Sequence, residues 1–347
     1  MASVGLFTNV KSGKNLLDFM RYGQRRRLKR FRSIVKDGNA GRVYITGLNS
    51  DYLTDLENKV VSACSDKPEV IAIDGGDGTI STVLTMLDKH WKGEELPLVA
   101  VLNGGTFNIL AKRLGIGDPF SYLENIVKVQ DADGFTVNNV EMMRVVDDYN
   151  NEHLSFSVGI GLPVDFLSAV YERKTMKYLR VGMMIAKLFG SAMIDGPYCQ
   201  SFDKKHRMTI TMEGHTSKAS MEGDWLGLIA QSIESLGMPK FIPQPKLFRK
   251  AETEGRFHTV GTTVDLRRLL GYIPALWMGE SAYFKNDAGE IAPILTLDKQ
   301  LKELMVQSDS HFSYQFNGEL SYGPALCRAK ELYIKADRNV NFVENRF

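Results

Sequence analysis

Val70-Ile71-Ala72-Ile73-Asp74-Gly75-Gly76-Asp77-Gly78-Thr79 is the stretch on which the fold turns. Four consecutive apolar residues ahead of a glycine-rich turn read as a strand buried on both faces, and Ile80–Leu87 reads as a helix that starts at Thr79. A strand passing through a short turn into a helix is half of a βαβ unit. The neighbouring sequence repeats the arrangement: Pro97–Leu102 is apolar, and Asn103-Gly104-Gly105-Thr106 leads into a helix over Asn108–Leu114. Upstream, Ser3–Thr8 is a short strand before the polar turn Asn9-Val10-Lys11-Ser12-Gly13-Lys14, Arg42–Thr46 is another strand, and Asp55–Cys64 is a helix. Such alternation predicts a parallel α/β sheet with its loops at the strand ends.

Beyond about residue 136 the texture changes. Thr136–Val146, His153–Val158, Arg207–Met212, Trp225–Gln231 and Phe257–Val264 predict antiparallel strands, broken by one helical region near Leu167–Met193. Phe312–Phe316 and Glu331–Ala336 flank Asn317-Gly318-Glu319 as a hairpin or strand edge. The 347 residues fit about two domains. We expect an α/β nucleotide-binding domain over 1–135 and a β-sandwich over 136–347, with the last strand or tail able to return to the first domain.

With 44% apolar and 24% charged residues, the composition is that of a globular protein rather than a disordered one. Cys64, Cys199 and Cys327 form neither a zinc pair nor a disulfide framework, which fits a reducing compartment. The opening residues show no signal-peptide pattern, and no stretch reaches the roughly 20 apolar residues of a spanning helix. Net charge is +2, yet Arg21, Arg25, Arg26, Arg27, Lys29, Arg30, Arg32 and Lys36 cluster without an acidic neighbour on an amphipathic helix that also carries Leu28, Phe31 and Val35. The remainder is acidic, so a general nucleic-acid binder is disfavoured. The basic helix is a solvated face, a segment that contacts ATP phosphate or nucleic acid, or an approach to an anionic surface.

Gly75–Thr79 is the most informative chemistry. Glycines permit positive φ and close backbone approach, so N–H groups can face phosphate oxygens at a helix start. Asp77 is the odd member: beside phosphate a carboxylate suggests a general base or an Mg²⁺-linked role, while the bland reading is a helix N-cap. Gly104-Gly105-Thr106-Phe107-Asn108 holds the equivalent place one strand later, and Asn9–Gly13 makes a third polar loop. Three such loops at strand ends fit a nucleotide site at a topological switch point, though none matches the P-loop or the dinucleotide fingerprint.

At these residues the chain resembles the diacylglycerol kinase catalytic family, which includes sphingosine and ceramide kinases and bacterial soluble lipid kinases. Asn9–Gly13 resembles its N-P-x-S-G loop, Gly75–Thr79 its G-G-D-G-T, Asn103–Asn108 with Ala111 and Leu114-Gly115 its second glycine loop, and Asn317-Gly318-Glu319 its D-G-E. NAD kinases share G-G-D-G-T; the second loop and the distant Gly-Glu favour lipid kinases. The resemblance implies ATP and Mg²⁺ use, a nucleotide site between an α/β domain and a β-sandwich, and a lipid hydroxyl as acceptor. It makes Asp77 the base, and Asn9, Ser12, Gly13, Gly75, Gly76, Gly78, Thr79, Gly105, Thr106, Asn108, Arg173, Arg180 and Glu319 the nucleotide ligands. Gly161 to Asp165 is similar to the G-x-x-x-D of sphingosine and ceramide kinases, which places Asp165 on the lipid; its bland reading is an N-cap.

The departures are equally specific. Val10 and Asn103 stand where the family has prolines, Ser81-Thr82 where it has Asn-Glu, and Asn317 where it has Asp. Two carboxylates are absent, so the metal ligands stay open, as does a regulator that has lost catalysis. Met183–Met193 and Leu269–Met278 are apolar runs that line an acyl tunnel, rest on a membrane or simply fill a core. The expected partners are the lipid and an anionic membrane surface, reached transiently from the cytoplasm, with no nucleic acid; a homodimer stays open.

Overall fold

The computed structural model describes residues 2–12, 26–37, 41–46, 52–93, 95–105, 108–129, 134–171, 177–194, 196–214, 218–234, 255–286, 288–317 and 327–344. The chain divides into two compact units, residues 1–140 with 339–347, and residues 141–338.

In the first unit β1 (Val4–Asn9), β2 (Gly41–Thr46), β3 (Val70–Asp74) and β4 (Leu98–Val101) lie parallel in the order β2-β1-β3-β4. β1 and β3 have partners on both sides and are buried throughout, which is why their sequences are almost wholly apolar, whereas β2 is an edge strand with an exposed start. The strand order reverses between β1 and β3, the place where open α/β sheets bind ligands. Helix Arg26–Asp37 buries Leu28, Phe31 and Val35 and exposes Lys29, Arg30, Arg32 and Lys36. The chain's end completes this unit: Phe342 pairs with Val99, Tyr122 Oη donates to Val343 O at 2.6 Å, and Glu344 N donates to Thr136 O at 2.8 Å.

The second unit is antiparallel and β-rich. Its strands are β5 (Val137–Asp147), β6 (Glu152–Ser155), β7 (Ser157–Gly161), β8 (His206–Glu213), β9 (Lys218–Trp225), β10 (Gly227–Gln231), β11 (Phe257–Thr262), the small pair β12 (Tyr283–Lys285) and β13 (Ile291–Pro293), β14 (Leu297–Leu301), β15 (Glu303–Phe316) and β16 (Cys327–Val343). The main order is β14-β11-β10-β7-β15-β16. β15 pairs with β8 through Glu303–Gln307 and with β7 through Tyr314–Phe316, changing neighbour at a bulge in its pairing with β16. Alternate residues such as Val158, Ile160, Met208, Ile210, Leu304 and Val306 meet in one core with Trp225.

Three sequence expectations change. His153–Val158 and Trp225–Gln231 are each two strands, broken at Phe156 and Leu226. Leu266–Met278 is a helix, capped by Asp265, which accepts from Arg268 N at 2.8 Å, and ended by Gly279 at φ 81°. Its capping residues are visible in the sequence, but the internal Pro274 breaks the helical pattern. Among the described residues no helix is long and apolar enough to cross a membrane.

Candidate functional site

Because β1, β3 and β4 run parallel, the three polar loops that follow them lie on one edge of the sheet. Asn9 Nδ2 donates to Thr79 Oγ1 at 2.9 Å, bridging the β1/β3 switch point. Ser12 Oγ lies within hydrogen-bonding distance of Asn9 O at 2.9 Å and Gly104 O at 3.1 Å, tying the first loop to the third. In that third loop Gly105 N donates to Asn108 Oδ1 at 2.8 Å and Asn108 Nδ2 donates to Gly105 O at 2.9 Å. The edge therefore brings together Asn9, Ser12, Gly75, Gly76, Asp77, Gly78, Thr79, Gly105 and Asn108. Gly13 and Thr106 lie outside the described residues.

The glycines serve close approach rather than left-handed backbone. None of Gly75, Gly76, Gly78, Gly104 and Gly105 has positive φ; the left-handed positions belong to Asn103 at 50° and Asn108 at 51°. A Cβ on Gly105 would lie 2.3 Å from Gly76 Cα, and one on Gly75 would lie 2.5 Å from Thr79 Cβ. The two loops press backbone to backbone, which only glycine permits.

Asp77 is neither outside the helix nor its cap. The helix runs Asp77–His90, with Gly76 at the N-cap and no capping side chain among the described residues, and its first-turn N–H groups suit an anion. The Asp77 carboxylate turns instead to helix Ile109–Arg113, accepting from Ile109 N at 3.0 Å and Leu110 N at 3.3 Å. Burial pushes its pKa up to about 6, against the opposing pull of those N–H groups and Lys112. A carboxyl so placed exchanges a proton near neutrality.

Other positions correct the sequence reading. Thr82 Oγ1 donates to Gly78 O at 2.9 Å, engaging its own helix. Arg27 faces inward from the basic helix and pairs with the buried Asp74; its position four residues before Phe31 on the apolar face was the available signal. Asn103 Nδ2 donates to Gly117 O at 3.1 Å, holding the segment after helix Ile109–Arg113.

In the second unit Asp165 sits in the first turn of helix Leu162–Tyr171, three residues past its start, so it is no N-cap. It is half-buried and has no hydrogen bond or ion pair among the described residues. Asn317 Oδ1 accepts from Ser155 Oγ at 2.8 Å, Phe156 N at 3.0 Å and Ser157 N at 3.1 Å, and this holds the break between β6 and β7. The two N–H donors fix the amide's orientation, and the buried Asn317 Nδ2 has no hydrogen-bond partner among the described residues. The helix Lys177–Met193 carries Arg180, whose side chain, like Arg173 and Glu319, lies outside the described residues.

Residues 3–137 match the family model of the diacylglycerol kinase catalytic domain. No curated protein matches the chain. Among solved structures the chain is similar to a diacylglycerol kinase from Bacillus anthracis str. Sterne, with TM-score 0.58 and 15% identity over 99% of this chain and 97% of that one. It is also similar to a candidate diacylglycerol kinase from the same organism, with TM-score 0.61 and 17% identity over 99% and 98%. At these identities the likeness is one of fold: a parallel α/β region followed by an antiparallel β-rich region. The motif loops and the family match agree on the same stretch, and over residues 3–137 this chain is similar to the diacylglycerol kinase catalytic domain.

Proposed function

We propose that the protein transfers the γ-phosphate of ATP to a hydroxyl of a sphingoid, ceramide or acylglycerol lipid. The observation that carries this reading is the buried Asp77, held by Ile109 N and Leu110 N beside the uncapped start of helix Asp77–His90. The helix start and its dipole hold phosphate oxygens. Asp77 takes the proton of the lipid hydroxyl as that oxygen bonds phosphorus and the bond to the leaving ADP breaks. The family match favours this reading over an NAD kinase.

Mg²⁺ accompanies ATP in such transfers, but the carboxylates of this edge are engaged elsewhere: Asp74 by Arg27, Asp77 by helix N–H groups. Among the described residues no group of three or more His, Cys, Asp or Glu could hold a metal. These residues do not fit a protein-held ion, and no step here runs through one. Incubating the full chain with labelled ATP, Mg²⁺ and a mixed lipid extract tests the reading. Labelled phospholipid is the expected product; labelled NADP from added NAD, or no transfer at all, would overturn it.

A two-chain lipid is met at an interface, so we also assign the protein a transient, peripheral contact with anionic membrane. Lys29, Arg32 and Lys36 on the exposed face of helix Arg26–Asp37 are the candidate contacts, while Arg30 lies 4.2 Å over the Phe120 ring and 3.8 Å from Glu124. Changing those three to Gln is expected to weaken salt-sensitive co-sedimentation with anionic vesicles; unchanged binding at low salt would remove this helix from the contact.

A further inference from the structure

Behind the two glycine loops lies a contact that no motif announces. Arg27 directs Nε and Nη2 at Asp74 Oδ1, at 3.0 and 2.7 Å, and the same Nη2 donates to Leu102 O. Asp74 ends β3 and is fully buried, while Leu102 follows β4. One guanidinium therefore spans the ends of two adjacent strands, immediately before Gly75–Thr79 and Asn103–Asn108. Gly104 is packed into the same contact, since a Cβ there would lie 2.6 Å from Asp74 Oδ1 and 2.9 Å from Gly75 N. The guanidinium lies 5.0 Å from the Phe31 ring centroid and 5.6 Å from that of Phe120, and its side chain is 12% exposed.

We propose that Arg27 is a positioning residue for the nucleotide. Acting through Asp74 and Leu102, it fixes the spacing between the two loops, so that the start of helix Asp77–His90 and the Asp77 carboxylate are presented together. This inference rests on the kinase reading above. The guanidinium holds Asp74 Oδ1 through two nitrogens in one rigid plane while Nη2 also takes Leu102 O; a lysine ammonium is a single point on a flexible stem and does not fix that plane. Small displacements of binding groups cost as much as about 100-fold in the reaction they serve.

The test compares Arg27→Lys, Asp74→Asn and the double variant in the full chain. It measures thermal unfolding, equilibrium binding of a fluorescent ATP analogue, and the KM for lipid extract. Each single variant is expected to weaken the analogue by about 10- to 100-fold, with the lipid KM unchanged, and the double variant to be no worse than the poorer single one because both remove the same contact. Full-strength analogue binding by folded Arg27→Lys would reduce the contact to simple stability and overturn the proposal. A loss in Arg27→Lys with none in Asp74→Asn would overturn it differently, making Arg27 a direct phosphate ligand. Should Arg27→Lys fail to fold, Asp74→Asn decides alone, since it takes away the charge that holds the guanidinium and leaves Arg27 itself in place. Wild-type protein that binds no analogue at all would overturn the kinase reading itself.

Discussion

Asp77 in the first unit is closed off from solvent, and both its carboxylate oxygens accept N–H groups of helix Ile109–Arg113; Asp165 in the second unit is half-buried and has no partner among the described residues. The difference separates two uses of a carboxylate. Asp77 is oriented before any ligand arrives, and its burial favours the protonated form, so position and proton affinity are both set by the fold. Among the described residues Asp165 is held only by its helix, and it gains a partner when something polar is brought to it. Preorganisation suits a group that moves a proton, and an open acceptor suits one that recognises a headgroup.

Replacing Asp77 with Asn breaks the comparison most severely. Turnover is expected to fall by about 10²–10⁴-fold, the range for a lost general base. The amide has only one oxygen for two N–H donors, so stability is also expected to fall, by about 1–3 kcal/mol; turnover per folded molecule and thermal unfolding separate the two effects. The pH dependence has a definite sign. Burial raises the Asp77 pKa from 3.8 to about 6, so its stabilising contribution is complete below the unfolded value and is lost as pH rises through about 6. On the proposed reading activity needs the carboxylate and is expected to rise over that same interval. A pH–rate profile flat across about pH 5 to 7 would remove Asp77 from the proton transfer.

The same contrast shows what a sequence discloses. In the first unit the strand, turn and helix follow one another along the chain, so Val70–Thr79 and Asn103–Asn108 reveal both the elements and the edge they build. Their glycines were legible as close-approach positions, but the partner of each was not: that Gly105 meets Gly76, or that Asp77 meets helix Ile109–Arg113, depends on β3 and β4 being neighbours. Arg27 was read with its seven basic neighbours because charge clusters resemble one another in sequence. Only burial distinguishes the one that reaches Asp74. In the second unit the alternating patterns announced strands, yet the break at Phe156 is made by Asn317, more than 160 positions away. A missing carboxylate drew attention to position 317; the three donors converging there could not be seen.

Asn317 offers a second, smaller test. Asn317→Ala takes the acceptor from Phe156 N, while Ser155 Oγ still donates to Ser157 O at 2.7 Å and Ser157 N to Ser155 Oγ at 3.2 Å; a buried donor left unmatched costs about 1–3 kcal/mol. Asn317→Asp keeps the accepting oxygen, replaces Nδ2, which has no partner among the described residues, and gains charge-assisted bonds from the same donors. The alanine variant is therefore expected to unfold at lower temperature and the aspartate variant to stay near wild type. An alanine variant as stable as wild type would show that the convergence at Asn317 does not hold β6 to β7.

The smallest expected effect is the one that defines the other half of the comparison. Asp165 has no described partner to lose and does not cap its helix, so Asp165→Ala is expected to leave thermal unfolding within about 0.5 kcal/mol of wild type. Analogue binding should also be untouched, because the loops proposed to hold the nucleotide belong to the first unit. What should change is discrimination among lipids: substrates carrying an amine, amide or hydroxyl near the acceptor lose an ionic hydrogen bond, and their KM rises by about tenfold, the equivalent of roughly 1.4 kcal/mol. Asp165→Asn, which keeps an acceptor but not the charge, is expected to fall between the two for a neutral amide or hydroxyl and to match alanine for an amine. That ordering distinguishes recognition from support. A structural role predicts that every lipid suffers alike and that stability falls with activity, in which case Asp165 would join Asp77 as a residue that the fold itself requires.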